Sequence, residues 1–375
     1  MVLATKARAM LLGASFLAVI GARGDAPFAP APGSPCPACD QPSSIVTADF
    51  DSDGDQDILV GCSGTDSVGL LLNDGGGRFP IRRAFPAIAR PHLLAVGDWN
   101  GDRKPDAVVS AHGSNEVALL QNVGRGNLAR RSLVRVFPGG RGHNHGLAAG
   151  DVNGDGQADL IVGHQDLGQI AVLLSVGQGR FHPAPGSPVA VGRAPYPHGL
   201  ADVTGDRLLD LVVPDVAGNR IRILAGDGSG RFRALAPVST GMARPYFVIV
   251  RDLNRDGRVD LVVTHDDTHR VAVMLGDGKG RFRQAPGSPF EGRAASWKGD
   301  AADLDGNGTL DLALAGGSSV RVFHGDGRGG FRYWTSLPTR GESWDVTCVD
   351  VNGDQRHDIV TPSSAGNAVH VVLSR

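Results

Sequence analysis

Short apolar runs recur along the chain at a near-constant interval, and the same acidic stretch introduces each one. Asp49-Phe-Asp51-Ser-Asp53-Gly54-Asp-Gln-Asp57 leads into Ile58-Leu59-Val60, a β-branched run that reads as a strand. The frame D-x-[D/N/T]-x-[D/N]-x-x-x-D begins again at Asp98, Asp151, Asp202, Asp252, Asp303 and Asp350, at intervals of 47 to 53 residues. Each run is followed by a turn and a second apolar strand, such as Val271-Ala-Val-Met-Leu275. A glycine-rich hairpin signal comes next, for example Gly276-Asp-Gly-Lys-Gly-Arg281-Phe282, and a further extended segment returns to the next acidic stretch. Four strands in roughly 50 residues is the pattern of a propeller blade. The repeats therefore predict an all-β fold: a seven-bladed β-propeller of four-stranded blades, one domain over residues 27–375.

The seventh repeat stops on its third strand, at residues 368–375. The segment Phe28-Ala-Pro-Ala-Pro-Gly33-Ser34-Pro35 matches the stretches beginning at Phe181 and Phe282. All three phenylalanines lie 21 residues before an acidic stretch. The N-terminal strand is thus predicted to join the last blade, closing the ring and removing two exposed sheet edges.

Composition agrees with this reading. The 54 Gly and 23 Pro exclude a mainly helical protein, and 41% hydrophobic residues suffice for a core. A net charge of −2 gives no reason to expect nucleic acid. Lys6 and Arg8 precede an apolar run over residues 9–20 and then small residues, the pattern of a signal peptide over residues 1–26. The run is too short to span a bilayer, and no other stretch approaches the length needed. A monomer that is secreted, periplasmic or at the cell surface is expected. Four cysteines suit an oxidising compartment. A local Cys36–Cys39 bridge is the first expectation, Cys62 is an alternative partner for either, and Cys348 reads as a buried free thiol.

Alternating carboxylates around a tight turn make a ring of hard oxygen donors, which suits Ca²⁺. Counted by side-chain positions one, three, five and nine, the candidate ligands are Asp49, Asp51, Asp53 and Asp57 in the first loop, and Asp98, Asn100, Asp102 and Asp106 in the second. The third offers Asp151, Asn153, Asp155 and Asp159, and the fourth only Asp202, Asp206 and Asp210, because Thr204 takes position three. The fifth offers Asp252, Asn254, Asp256 and Asp260, the sixth Asp303, Asp305, Asn307 and Asp311, and the seventh Asp350, Asn352, Asp354 and Asp358. These ligand positions hold 22 of the chain's 39 acidic residues, so up to seven structural calcium ions are expected. Solvated Asp-rich turns are the plainer alternative. Arg103, Arg207 and Gln355 replace the central glycine, and the fourth loop ranks as the weakest site.

The Asp-rich loops, the Gly-Asp-Gly-x-Gly-x-Phe turns and the Ala-Pro-Gly-Ser-Pro segments resemble the FG-GAP/VCBS repeat family. That family includes the seven-bladed propeller of integrin α chains and many exported bacterial proteins. The resemblance covers about residues 28–375 and implies the fold and calcium. It leaves activity open, since adhesins, lectin-like proteins and carbohydrate-active enzymes all share it.

In such propellers the face opposite the calcium loops is built from the segment entering each first strand and from the loop after each second strand. The residue six positions before each acidic loop is Ser43, His92, His145, Tyr196, Tyr246, Trp297 and Trp344 in turn. His198 pairs with His145 by the shared His-Gly-Leu-Ala. Two of four Trp and two of three Tyr thus converge on one rim. They read either as wedges between blades or as a shallow site where aromatic faces stack on sugars. Lys298, Asp300 and Asp345 are candidate polar partners, and His112, His164, Asp166, Asp215, His265, Asp266, Asp267 and His269 lie in the loops of the same face. His92, His145 and His198 could also hold a transition metal, with His143 nearby. The expected function is a binding or adhesion module for a glycan or cell-surface ligand. The alternative is a polysaccharide lyase or hydrolase using the His-rich rim, although no nucleophile-elbow, phosphate-loop or HExxH motif is present.

Overall fold

The computed structural model describes residues 27–139, 142–196 and 199–375, so the predicted signal peptide lies outside the described residues. Seven antiparallel sheets follow one another around a ring. Blade 1 runs outward through Pro42–Ala48, Asp57–Cys62, Ser67–Leu72 and Ile81–Pro86. First strands of neighbouring blades touch all the way round, and Thr347–Val349 of blade 7 meets Pro42–Ala48 of blade 1. These inner strands therefore line the axis. Seven apolar clusters fill the seven gaps between blades, including that between blades 7 and 1.

The ring closes at the N-terminus. Phe28–Pro30 runs antiparallel to Ala368–Ser374, with Phe28 opposite Ser374 and Pro30 opposite Val372. Cys36–Pro37 then pairs with the start of the same strand. The Ala-Pro-Gly-Ser-Pro segment explains the three-fold sequence match. Prolines cannot complete a ladder, so a serine hydroxyl satisfies the third strand instead. Val371 N–H donates to Ser34 Oγ at 2.9 Å, Val172 N–H to Ser187 Oγ at 2.9 Å, and Val273 N–H to Ser288 Oγ at 2.8 Å.

The bridge differs from the first expectation. Cys39 pairs with Cys62, while Cys36 and Cys348 are free and buried. Cys36 lies within the strand that pairs with Val369, and its side chain packs into the cluster between blades 7 and 1. Three residues later the chain has left that strand, which brings Cys39 against the end of blade 1's second strand. The disulfide thus staples the closing segment to the next blade. Closing its 23-residue loop restricts the unfolded chain by roughly 3 kcal/mol.

The acidic loops join first to second strands, and their backbone is the same in all seven. Positions four and six are left-handed throughout, including Arg103, Arg207 and Gln355 where glycine is replaced. The ninth-position aspartate is fully buried in every loop. One of its oxygens accepts the N–H of loop position two, at 2.8 Å from Phe50, 3.0 Å from Val152 and 3.1 Å from Val351. The other accepts an N–H at the end of the third strand, at 2.8 Å from both Asn73 and Ser175 and 2.9 Å from Ser374. The remaining four blades repeat both bonds.

Position two is apolar every time: Phe50, Trp99, Val152, Val203, Leu253, Leu304 and Val351, all at most 4% exposed. Each enters the cluster facing the next blade. The carbonyls of Phe50, Trp99, Val152 and Val203 accept from the next blade's hairpin, as in Gly230 N–H to Val152 O at 3.1 Å and Gly280 N–H to Val203 O at 2.8 Å. Gly230 sits at φ +82°, and a Cβ there would stand 2.8 Å from Leu174 Cδ2, so the approach requires glycine.

Burial pushes the carboxyls of Asp57, Asp106, Asp159 and Asp358 up to about 6, while the two N–H donors pull the other way. Asp159→Asn keeps the shape but turns an amide NH₂ toward a buried N–H. The expected loss is about 1–3 kcal/mol, and urea unfolding should show it in calcium-free buffer as well as with calcium. A wild-type midpoint in calcium-free buffer would refute this structural role.

Candidate binding face and acidic loops

The seven predicted rim positions do converge. His92 and His145 have ring centroids 4.9 Å apart, and His145 stacks on Tyr196 at 4.0 Å. Tyr196 meets Tyr246 edge-on at 5.2 Å, Tyr246 meets Trp297 at 5.2 Å, and Trp297 lies 4.9 Å from Trp344. Ser43 completes the circle, sharing a cavity of about 360 Å³ with His92, His145, Tyr246 and Trp344. His198 lies outside the described residues.

This arc forms because each ring is carried on or just before an inner strand, where neighbouring blades are closest. Tyr196 is buried at 6% exposure, with its hydroxyl donating to Gln165 Oε1 at 3.0 Å. Burial pushes the Tyr196 phenol up to about 12 and the Tyr246 phenol higher still, so both are neutral donors. His92, His145, Tyr246, Trp297 and Trp344 are half-buried. Tyr196 is thus a wedge, and the open arc belongs to the other five.

The expected polar partners divide. Lys298 Nζ lies 2.6 Å from Oδ2 of the buried Asp345, each residue directly following one of the two tryptophans in the chain. Asp300 points elsewhere, pairing with Arg251 at 3.3 Å and accepting the Cys348 N–H. Asp215 is buried between Arg220 and Arg222 and caps a short helical turn. His164 is buried, with Nε2 3.1 Å from Asn115 Oδ1. Asp266 is held by a bidentate bond from Arg244, while Asp267 and His269 are exposed at a loop tip.

Two loop residues join the arc. His112 sits 3.9 Å from His92 and 4.8 Å from His145, centroid to centroid. His143 is 5.6 Å from His112, and its Nδ1 lies 3.0 Å from Asp166 Oδ2. Sequence reasoning placed His112 on this face without linking it to His92 and His145. The signal was present, since the loop after the second strand of blade 2 must end beside the start of that blade's first strand. Desolvation pushes His145 down to about 3 and lowers His112, helped by neighbouring imidazoles.

The opposite face is carboxylate-rich, and its loops are not equivalent. In the first, oxygens of Asp49, Asp51 and Asp53 lie within 4.8 Å of one another, and Asp51 Oδ1 is buried with no partner. Burial, then Asp53 and Asp49, push the Asp51 carboxyl up. That donor set fits a divalent cation. In the third, fifth and seventh loops an Asn amide donates to a neighbouring carboxylate instead, as in Asn153 Nδ2 to Asp155 Oδ2 at 3.0 Å. In the sixth, His324 Nδ1 lies 3.2 Å from Asp305 and 3.6 Å from Asp311. In the fourth, Thr204 Oγ1 is a buried atom without a partner.

Comparison with known proteins agrees with the architecture. The FG-GAP-like repeat is matched at residues 49–109, 98–162, 151–213, 202–263, 252–314 and 303–361. No curated protein matches the chain in sequence. Among solved structures, an Agrocybe aegerita lectin, described by its recognition of non-reducing terminal N-acetylglucosamine, superposes with TM-score 0.59 at 21% identity, over 88% of this chain and 94% of its own. The periplasmic gluconolactonase of Pseudomonas aeruginosa gives 0.61 at 17%, covering 80% and 86%. Virginiamycin B lyase of Staphylococcus aureus gives 0.59 at 10%, covering 93% and 98%. At these identities the likeness is one of fold.

His265 shows how a rim candidate became structural. It is fully buried, with Nε2 2.9 Å from Thr240 Oγ1, and desolvation pushes it down to about 4. A folded value below the unfolded ~6.5 means its contribution is intact above that pH and is lost as pH falls toward 4. At pH 5 the loss is roughly 2 kcal/mol, since the unfolded histidine is protonated and the folded one is not. His265→Gln should therefore melt closer to wild type at pH 5 than at pH 7. A melting difference independent of pH would contradict the assignment.

Proposed function

Because the chain belongs to the FG-GAP-like repeat family, we propose that it is an exported, calcium-stabilised binding module that takes a sugar or similar cell-surface ligand on its aromatic face. The observation that carries this reading is the arc of His92, His145, Tyr246 and Trp344 around one cavity, with Trp297 packed between Tyr246 and Trp344. Indole and phenol faces stack on the apolar faces of sugar rings, while the imidazoles and Lys298 supply polar contacts. At about 360 Å³ the cavity is at the small end of ligand sites, about 300–1,000 Å³, which suits a terminal residue better than a chain lying in a cleft. The Cys39–Cys62 bridge and the signal-like N-terminus support export.

Replacing Trp344 by Ala should lower retention on a glycan array of terminal sugars at least about tenfold, the effect of losing one stacked anchor. Melting in calcium should stay within a few degrees of wild type. Wild-type protein that binds no glycan on the array would reject the sugar reading. Shortened products from polysaccharides would favour the lyase or hydrolase alternative, for which the His143–Asp166 pair is the candidate acid–base group.

Calcium is proposed at the acidic loops, above all at the first, where a buried unpartnered oxygen and three converging carboxylates make the donor set. Asp49, Asp51, Asp53 and Asp57 would hold it there. A site saturated tenfold over its Kd adds about 1.4 kcal/mol. Chelation should lower the melting temperature by roughly 10 °C or more if several sites fill. No shift with EDTA would exclude structural calcium.

A further inference from the structure

On the face remote from the acidic loops, we propose that His92, His112 and His145 form an open binding site for one borderline transition-metal cation of the zinc, cobalt or nickel type. The site shares His92, His145 and their cavity with the proposed sugar face, but its geometry depends neither on a sugar nor on calcium being bound. His92 lies on the first strand of blade 2, Pro91–Gly97, and His112 directly follows the second strand, Asp106–Ala111. His145 lies on the first strand of blade 3, Asn144–Gly150. One ring nitrogen from each comes within 4.8 Å of the other two. The rings are steeply inclined to one another, at 66°, 60° and 90°, so they converge instead of stacking.

No carboxylate joins this cluster, which therefore selects against calcium. Imidazole suits zinc and its neighbours, whereas calcium takes oxygen. Bonds of about 2.0–2.1 Å in a tetrahedron need nitrogens roughly 3.4 Å apart. Closing from the present spacing takes rotations of the His92 and His112 rings, both of which line the cavity. His145 Nδ1 is sealed from solvent with no hydrogen-bond partner, a costly state for an imidazole nitrogen that turning toward a metal would relieve. Beside the cluster, His143 Nδ1 lies 3.0 Å from Asp166 Oδ2, so that imidazole is already engaged and stays outside the ligand set. The cavity leaves the fourth coordination position open to water or a ligand oxygen.

The test is titration of the full mature chain with Co²⁺, after chelation and with calcium restored in excess to occupy the acidic loops. One Co²⁺ per chain should bind with the visible absorption of a four-coordinate nitrogen-rich site, and one equivalent of Zn²⁺ should bleach it. The His92→Ala/His112→Ala variant should bind Co²⁺ at least about tenfold more weakly, as even outer-shell changes cost 10–100-fold. X-ray absorption of the Co²⁺-loaded wild type should count three imidazoles, a readout that needs no variant to fold. Absence of the visible band at stoichiometric Co²⁺ would overturn the proposal. So would unchanged affinity in a variant that melts like wild type, or fewer than two imidazoles on the metal.

Discussion

The buried carboxylate at the ninth position of each acidic loop is the interaction on which the rest of the propeller depends. It accepts one N–H from its own loop and one from the end of the third strand, so it holds three segments of a blade at one point. Holding loop position two in place also aims an apolar side chain into the next blade and presents a carbonyl to that blade's hairpin. Within-blade and between-blade order therefore share one origin. The cost is seven desolvated carboxylates, whose acidity is weakened by burial and by the charges around them.

Ring closure extends the same economy of contacts to the chain ends. The N-terminal segment replaces the missing outer strand of blade 7, and the disulfide then ties it to blade 1. No blade interface is left without its apolar cluster. The outer strands of blades 3, 4, 5 and 7 are three-residue pieces, which discourages edge-to-edge pairing there, whereas blades 2 and 6 carry the longer outer strands Asn127–Arg135 and Phe331–Pro338.

The two faces separate ligand chemistries. One presents clustered carboxylate oxygens; the other presents imidazoles and aromatic rings with few carboxylates at the axis. The separation follows from blade geometry, because the loops after first strands and those after second strands emerge at opposite ends of the sheet. Residue types suited to different ligands can accumulate on the two faces without interfering.

The strand count, the repeat, the closing strand and the convergence of the rim were all legible in the sequence, because each is a matter of period and spacing. The ninth aspartate was legible as a pattern that suggested an ion ligand. That each one also satisfies two backbone N–H groups becomes visible only once the third strand is in place. The apolar residue at position two was present in every repeat, yet its meaning required the neighbouring blade. Pairing of Cys39 with Cys62, the diversion of Asp300 to Arg251, and the meeting of His112 with His92 and His145 were decided by tertiary structure alone. Each depends on distances across blades or on which side of a strand a chain segment leaves it. A one-dimensional period fixes the order of strands around the ring, but not those last few ångströms.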